Sequence, residues 1–204
     1  MTNELDCRGL ACPAPVLQIK DLLEKAAPHA LTVLVDNEAA WQNVSRLLEY
    51  HNFQVSTERQ GSEFRVVATG KEGGNAPERR SAAPAVKKGE SGEKKILVMV
   101  GTDRMGHGDD GLGGKLLMSF LKTLKEMGPD LWRLVFINSG VTLTAEGSEA
   151  VPILQELAGE GVQILVCGAC LTHFNLLHKK KVGETTNMLD IVTGMQRADS
   201  VVTI

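Results

Sequence analysis

The cysteines are the residues whose type and placement point to chemistry in this sequence. The chain has four of them, Cys7, Cys12, Cys167 and Cys170. We expect a cytoplasmic protein, because the polar, acidic start of the chain has no signal-peptide pattern. In that reducing compartment, close cysteines favour metal binding or redox chemistry over structural disulfides. The chemistry open to them therefore depends on where the strands and helices place them.

Cys12 lies between a predicted strand at residues 3–7 and a predicted helix whose apolar residues recur at helical spacing from Val16. Pro13 suits the first helical position, which puts Cys12 at the N-cap. There the free backbone N–H groups and the positive end of the helix dipole favour the thiolate, which is the nucleophile. A small buried residue capping the helix is the alternative. Because Pro13 and Pro15 both fix the turn beside the thiol, we favour a functional cysteine.

Cys7 lies five residues before Cys12 in the sequence. It has two interpretations: a thiol that resolves an oxidised Cys12, or a small residue that fills the end of a strand. We favour the structural interpretation, because cysteine is among the residues most often found buried.

Cys167 and Cys170 form a Cys-x-x-Cys motif after a predicted buried strand at residues 162–166 and before a predicted helix. In a parallel sheet, the carboxyl ends of the strands form the edge where ligands and reactive groups collect. We expect both thiols to be accessible there, with Cys167 deeper at the strand end and Cys170 supplying the thiolate. His173 either stabilises that thiolate or lies on the helix surface. A thioredoxin-like site is disfavoured, because such sites carry a later cis-proline and no proline follows Pro152.

The apolar pattern divides the chain into two α/β domains and a linker. Residues 1–70 read as βαβαββ, which predicts a two-layer sandwich with helices packed on one sheet. Residues 71–93 contain no aromatic residue and one large aliphatic, Val86, so burial does not offset their ordering entropy and we predict a flexible linker. Residues 94–204 alternate strands and helices, which predicts a mostly parallel sheet flanked by helices.

Composition argues against several classes of partner. The net charge of −3 is too small to favour nucleic-acid binding, and no apolar run is long enough to span a bilayer. The histidines form no metal-ligand spacing, and a Cys₄ zinc site would have to join cysteine pairs from separate domains. We therefore predict no metal.

The glycine-rich stretch at residues 101–114 contains a G-x-G-x-x-G pattern at Gly106, Gly108 and Gly111. In a dinucleotide site the pattern turns directly off the first strand, and an acidic residue ends the second strand. Here several residues intervene, and the predicted second strand ends at Asn138. We predict no nucleotide cofactor and expect this loop to shape a pocket edge near Cys167.

Two segments resemble known families. Leu5-Asp6-Cys7-Arg8-Gly9-Leu10-Ala11-Cys12-Pro13-Ala14-Pro15-Val16 resembles the signature of the TusA (SirA-like) sulfur carriers, with their Cys-Pro-x-Pro motif, and the resemblance covers the first domain. It implies that Cys12 carries a persulfide received from a cysteine desulfurase. Val166-Cys167-Gly168-Ala169-Cys170-Leu171 resembles the late Cys-Gly-x-Cys-Leu stretch of DsrE-like domains, over about residues 94–204. The combination resembles the YedF-like proteins, which are associated with selenium metabolism, although no residue distinguishes selenium from sulfur.

These resemblances imply a persulfide-type sulfur or selenium carrier that uses Cys12, Cys167 and Cys170, rather than a classical turnover enzyme. Its partners would be a cysteine desulfurase or other chalcogen donor and an acceptor protein. The DsrE-like resemblance also implies a homo-oligomer. Two alternatives stay open: a dithiol–disulfide oxidoreductase that uses Cys167 and Cys170, and a regulatory or binding protein without turnover.

Overall fold

The structure is a computed structural model that describes residues 3–11, 13–26, 28–70 and 94–204. These residues form two compact units, each built on its own sheet. Cys12 and the predicted linker at residues 71–93 lie outside the described residues. None of the helices in the described ranges is long and apolar enough to cross a membrane.

The first unit has the predicted βαβαββ order. Its elements are β1 (Asn3–Asp6), α1 (Ala14–Ala26), β2 (Ala30–Val35), α2 (Glu38–Tyr50), β3 (Phe53–Gln60) and β4 (Glu63–Gly70). The sheet order is β1-β2-β4-β3; β1 runs parallel to β2, and the other neighbours are antiparallel. Ile19 of α1, Val33 of β2 and Val44 of α2 are fully buried in one core, so both helices pack on this sheet.

Local sequence accounts for the boundaries in this unit. The Oδ1 atom of Asn37 accepts a hydrogen bond from the N–H of Ala40 at 2.8 Å, which makes Asn37 the N-cap of α2 as predicted. The β3–β4 turn falls at residues 61–62, one residue later than predicted, because Gly61 adopts the positive φ of 63° that the turn requires. Helix α1 begins at Ala14 rather than at Pro13, and the Pro13 carbonyl accepts from the N–H of Leu17 at 3.1 Å. Pro13 therefore precedes the first helical position instead of occupying it.

Residues 94–204 contain a second, five-stranded sheet. Its elements are β5 (Ile96–Val100), α3 (Asp110–Thr123), a 3-10 helix (Leu124–Asp130), β6 (Leu131–Phe136), a 3-10 helix (Asn138–Thr144), α4 (Ala150–Gly159), β7 (Gln163–Cys167), α5 (Gly168–His173), a 3-10 helix (Leu177–Lys179), β8 (Glu184–Thr186), α6 (Met188–Arg197) and β9 (Ser200–Thr203). The order is β8-β7-β6-β5-β9, and every pair of neighbours is parallel. The predicted parallel α/β sheet is confirmed.

The three inner strands are buried on both faces. Val98, Leu134 and Leu165, from β5, β6 and β7, are at most 1% exposed, which is typical of a parallel sheet covered by helices. Strand β8 was not predicted, because its three residues, Glu184–Thr186, are polar and too few to show periodicity. In α4, Pro152 is the third helical residue, where its missing N–H costs no helical hydrogen bond.

Candidate active site at the carboxyl edge of the parallel sheet

The carboxyl ends of β5, β6 and β7 lie side by side, so the loops that follow them meet at one edge. Asp103 follows β5, Asn138 follows β6, and Cys167 is the last residue of β7. Cys170 lies in the first turn of α5, directly after β7. The Cys-x-x-Cys motif therefore lies at this edge of the sheet, as predicted.

Cys167 is buried at the junction of β7 and α5, with 4% of its surface exposed. It occupies the N-cap position of α5. Burial is the main cause that raises the pKa of the Cys167 thiol to about 11; the Cys170 side chain adds to this effect, and backbone N–H groups at the start of α5 oppose it. At neutral pH, Cys167 is therefore protonated. The expectation that both thiols are accessible is wrong for Cys167, because the end of β7 is part of the core.

Cys170 is the partly exposed thiol of the pair. Its Sγ atom accepts a hydrogen bond from the backbone N–H of Asn138 at 3.1 Å. Of the two thiols, Cys170 is the one that a partner can reach, and the buried Cys167 lies three residues before it, at the N-cap of α5.

The turn after β6 fixes the donor to Cys170. Asn138 adopts a φ of 48°, in the left-handed region that asparagine tolerates better than most residues. Two residues later, Gly140 packs so closely on the end of β5 that a Cβ atom would collide with the Val100 carbonyl oxygen. The N–H of Ile137 donates to that same oxygen at 3.0 Å. Tertiary contacts on both sides therefore hold the Asn138 N–H in place.

A polar network continues from this turn into the loop after β5. The Ser139 hydroxyl donates to the Asp103 carboxylate at 3.5 Å, and the Arg104 guanidinium donates to the same carboxylate at 3.1 Å. The Arg104 side chain also pairs with Asp110 at the start of α3. Arg104 lowers the pKa of Asp103, so this carboxylate is ionised. The glycine-rich loop thus contacts the turn after β6, which in turn contacts Cys170.

His173 is exposed, and its ring packs edge-on against Phe174 with 5.0 Å between ring centroids. No hydrogen bond from His173 to either cysteine occurs among the described residues. Of the two interpretations of His173, the geometry favours the helix-surface role.

In the first unit, Cys7 is 1% exposed and belongs to the hydrophobic core. Its N–H donates to the Leu34 carbonyl at 2.9 Å, and its thiol donates to the Gln18 side-chain oxygen at 3.6 Å. Burial raises the pKa of Cys7, and the charge of Asp6 adds to that effect. These contacts favour the structural interpretation of Cys7.

The segment that leads from β1 toward Cys12 is anchored by two sets of contacts. The Asp36 carboxylate accepts from the backbone N–H of Gly9 at 2.6 Å, and this bond lowers the pKa of Asp36. Arg8 pairs with Asp6 at 2.7 Å and with Glu63 at 3.3 Å. The hydrogen bonds from Arg8 lower the pKa of Asp6 to about 2.

Sequence reasoning missed Asp36 and Asn138. The available signal was their position: Asp36 lies just beyond one predicted strand and Asn138 at the end of another, each at the sheet edge where a cysteine-bearing segment also begins. Among the residues that the structure describes, no group of three histidine, cysteine or carboxylate side chains is arranged to hold a metal ion.

Three solved structures are similar to parts of the chain. The ychN protein of E. coli shares 18% identity, covering 54% of this chain and 99% of its own length, with a TM-score of 0.45. A SirA-like protein of Desulfitobacterium hafniense shares 29% identity, covering 35% of this chain and 100% of its own, with a TM-score of 0.31. A protein of unknown function from Methanobacterium thermoautotrophicum shares 17% identity, covering 55% and 100%, with a TM-score of 0.43. A search of curated proteins found no match.

Two family models match the chain, one on each sheet. The model for the sulfurtransferase TusA matches residues 3–70, and the model for the DsrE/DsrF-like family matches residues 99–204. Both are sulfur-relay families, which supports a sulfur-carrier role. The chain belongs to the DsrE/DsrF-like family and carries a TusA domain ahead of its DsrE-like domain.

Proposed function

We propose that this protein carries sulfur as a persulfide on Cys12 and on Cys170 and relays it from a donor protein to an acceptor protein. The observation that carries the proposal is the Cys170 sulfur, which is partly exposed and accepts a hydrogen bond from the Asn138 N–H. The match of residues 3–70 to a sulfurtransferase family supports the same role for Cys12, the cysteine of the Cys-Pro-x-Pro motif.

Loading is a thiol exchange reaction. The Cys170 thiolate attacks the outer sulfur of a donor persulfide, a new S–S bond forms, and the donor's own sulfur leaves as a thiolate with the electron pair of the broken bond. Delivery to an acceptor thiolate repeats the reaction in the other direction. The Asn138 N–H remains beside the attacking sulfur, where it stabilises the charge that the sulfur carries before attack and after departure.

The donor in this proposal is a cysteine desulfurase or another protein persulfide, and the relay operates in the cytosol, where thiols stay reduced. We further propose that the DsrE-like domain forms homo-oligomers. The same chemistry suits selenium, since a selenium atom bonded to a cysteine sulfur takes the place of the outer sulfur. Selenium is therefore a second cargo for the same carrier function.

The Cys167–Cys170 pair also fits a dithiol–disulfide oxidoreductase, because the two thiols lie three residues apart at the start of α5. The two functions differ in how many thiols they need. A carrier holds its cargo on one thiol, whereas an oxidoreductase needs the second thiol to resolve a mixed disulfide.

The test loads the full chain with a cysteine desulfurase and cysteine, and measures cyanide-labile sulfur on each cysteine-containing peptide. Cys12→Ser and Cys170→Ser should each lose the adduct at their own site, whereas Cys167→Ser should still accept sulfur on Cys170. Disulfide reduction is measured on the same variants. Efficient reduction by the unmodified protein, lost equally in Cys167→Ser and Cys170→Ser and without any persulfide, would replace the carrier by an oxidoreductase.

A further inference from the structure

Cys167 and Cys170 occupy positions that permit an S–S bond between them. Cys167 is the N-cap of α5 and Cys170 is the third residue of the helix. Side chains at these two positions face each other, as the reciprocal bonds of a capping box show. Residues three apart in an α-helix have Cα atoms about 5 Å apart, inside the range of roughly 4.4–6.8 Å that disulfides use. Both thiols are free to form that bond.

The buried thiol matters once Cys170 carries cargo. A persulfide on Cys170 has an inner sulfur, which is the Cys170 Sγ atom, and an outer sulfur that extends from it. Cys167 is 4% exposed, so an acceptor protein cannot use it as an external thiol. Its reachable partner among the described cysteines is the inner sulfur of Cys170.

We propose that the DsrE-like domain has a second way of discharging its cargo: the Cys167 thiol attacks the inner sulfur of a persulfide on Cys170, a Cys167–Cys170 disulfide forms, and the outer sulfur leaves as hydrosulfide. This inference rests on the proposed carrier function and adds a reductive release activity to it. The product is sulfide itself, rather than a sulfur atom handed to an acceptor thiol.

The release step needs no reactant besides the two cysteines and the bound sulfur. Cys167 with its proton and Cys170 with an anionic persulfide react to give one disulfide and one hydrosulfide ion. The bond between the inner and outer sulfurs breaks, its electron pair leaves with the outer sulfur, and the Cys167 proton completes the hydrosulfide. The outer sulfur is reduced, and the Cys167 sulfur is oxidised to the disulfide level. A dithiol reductant then returns the pair to thiols for the next cycle.

The environment of Cys167 fits this role. Attack needs the thiolate form of Cys167, and burial raises the pKa of this thiol to about 11, so only a small fraction is ionised at neutral pH. The proton that Cys167 gives up passes to the outer sulfur. The same burial makes the attack slow relative to transfer to an exposed acceptor thiolate, so release acts on cargo that no acceptor has collected. Selenium cargo would leave faster, since hydroselenide is the conjugate base of a stronger acid than hydrogen sulfide.

The experiment uses full-length protein carrying Cys12→Ser, so that the first carrier thiol takes up no sulfur. The protein is loaded with cysteine persulfide, freed of donor, and followed with time in the absence of reductant. Free sulfide, the persulfide on Cys170 and the Cys167–Cys170 disulfide are each quantified. Cys167→Ser and Cys167→Ala are compared in the same background, with Cys7→Ser as a matched buried-cysteine control.

We expect one sulfide released for each disulfide formed, a release at least about tenfold slower in both Cys167 variants, and an unchanged rate in the Cys7→Ser control. A persulfide on Cys170 that decays at the same rate with and without Cys167, and without forming a disulfide, would overturn the release activity while leaving the carrier intact. If Cys170 takes up no persulfide in any of these proteins, the carrier function fails, and the release activity fails with it.

Discussion

The two buried cysteines among the residues that the structure describes, one in each unit, differ in their neighbours rather than in their burial. Cys7 and Cys167 are 1% and 4% exposed, each lies at a strand end, and burial raises the pKa of both. The Cys7 thiol donates to the amide oxygen of Gln18, which undergoes no thiol chemistry. The Cys167 thiol lies at the start of α5, three residues before the partly exposed Cys170.

This comparison shows that burial alone does not make a cysteine structural. A buried thiol beside an inert amide fills space and satisfies one hydrogen bond. A buried thiol one helical turn from a nucleophilic sulfur lies where it can react with whatever that sulfur carries. The neighbouring group, rather than solvent exposure, therefore determines whether a buried cysteine is structural or reactive.

The largest effect that follows from this comparison is a difference in thiol reactivity. Under native conditions Cys170 should be alkylated at least about 100-fold faster than Cys7 or Cys167, because alkylation needs both access and the thiolate form. At pH 8 a thiol with a pKa of about 11 is ionised in only about one molecule in a thousand. Timed labelling with iodoacetamide, followed by peptide mass spectrometry, measures the three rates. If Cys167 were labelled as fast as Cys170, the predicted difference in reactivity between the buried and the partly exposed thiol would be wrong.

A smaller effect should come from the turn that donates to Cys170. Asn138→Val places a β-branched residue at a φ of 48°, which we expect to lower the free energy of unfolding by about 1–2 kcal/mol or to displace the N–H. Loss of that hydrogen bond should slow alkylation of Cys170 by about tenfold, since a bond to a charged acceptor contributes about 1.5–3 kcal/mol. Asn138→Gly is the matched control, because glycine adopts the left-handed conformation freely. Equal Cys170 rates in the two variants would show that this N–H has no role.

The pH dependence of the free energy of unfolding should reflect the raised pKa values of the two buried thiols. The folded-state pKa of Cys167 is raised from 9.0 to about 11, so its burial stabilises the fold fully below pH 9, and this stabilisation is lost as the pH rises toward 11. Urea unfolding of the second unit should therefore lose more stability between pH 8 and pH 10 in the unmodified protein than in Cys167→Ala. Cys7→Ala should show the same sign in the first unit, because the pKa of Cys7 is also raised. Parallel pH profiles for protein and variant would contradict the raised pKa.

The smallest expected effect concerns Asp36, which anchors the Gly9 N–H. Asp36→Ala should slow sulfur loading at Cys12 by about two- to fivefold, because it frees one contact of the segment that leads to that cysteine. Since the pKa of Asp36 is lowered, its stabilising effect is present at neutral pH and is lost as the pH falls through the folded-state pKa. Asp21→Ala, which removes only a surface pair with Lys25, is the control and should load normally. Equal loading rates in both variants would mean that the Gly9 contact does not position the loop.

Periodicity was enough to predict most of the fold. The apolar run at Ile96–Val100 and the helical spacing after Val16 are local patterns, and the structure contains the corresponding β5 and α1. Local sequence also predicted the Asn37 cap. The short strand β8 escaped prediction because polar residues in a three-residue strand leave no pattern.

The environment of the thiols was harder to predict, because tertiary contacts create it. The sequence places Cys167 at a strand end, but its burial depends on the neighbouring strands and helices of the core. The Asn138 donor exists because Gly140 packs against the carbonyl of Val100, forty residues earlier in the chain. Asp36 contacts Gly9 because β1 and β2 pair in parallel, which brings their carboxyl ends together. Such contacts follow from topology and cannot be recognised in a single segment.

The central claim is that sulfur is held on Cys12 and Cys170 and on neither of the buried thiols. Its most direct test is a map of persulfide on every cysteine peptide of the full-length protein after incubation with a cysteine desulfurase and cysteine, quenched at successive times. The account predicts cyanide-labile adducts on the Cys12 and Cys170 peptides at every time point, and none on Cys7 or as a persulfide on Cys167. Adducts that accumulate on Cys7 or Cys167, or their absence from Cys170, would contradict it.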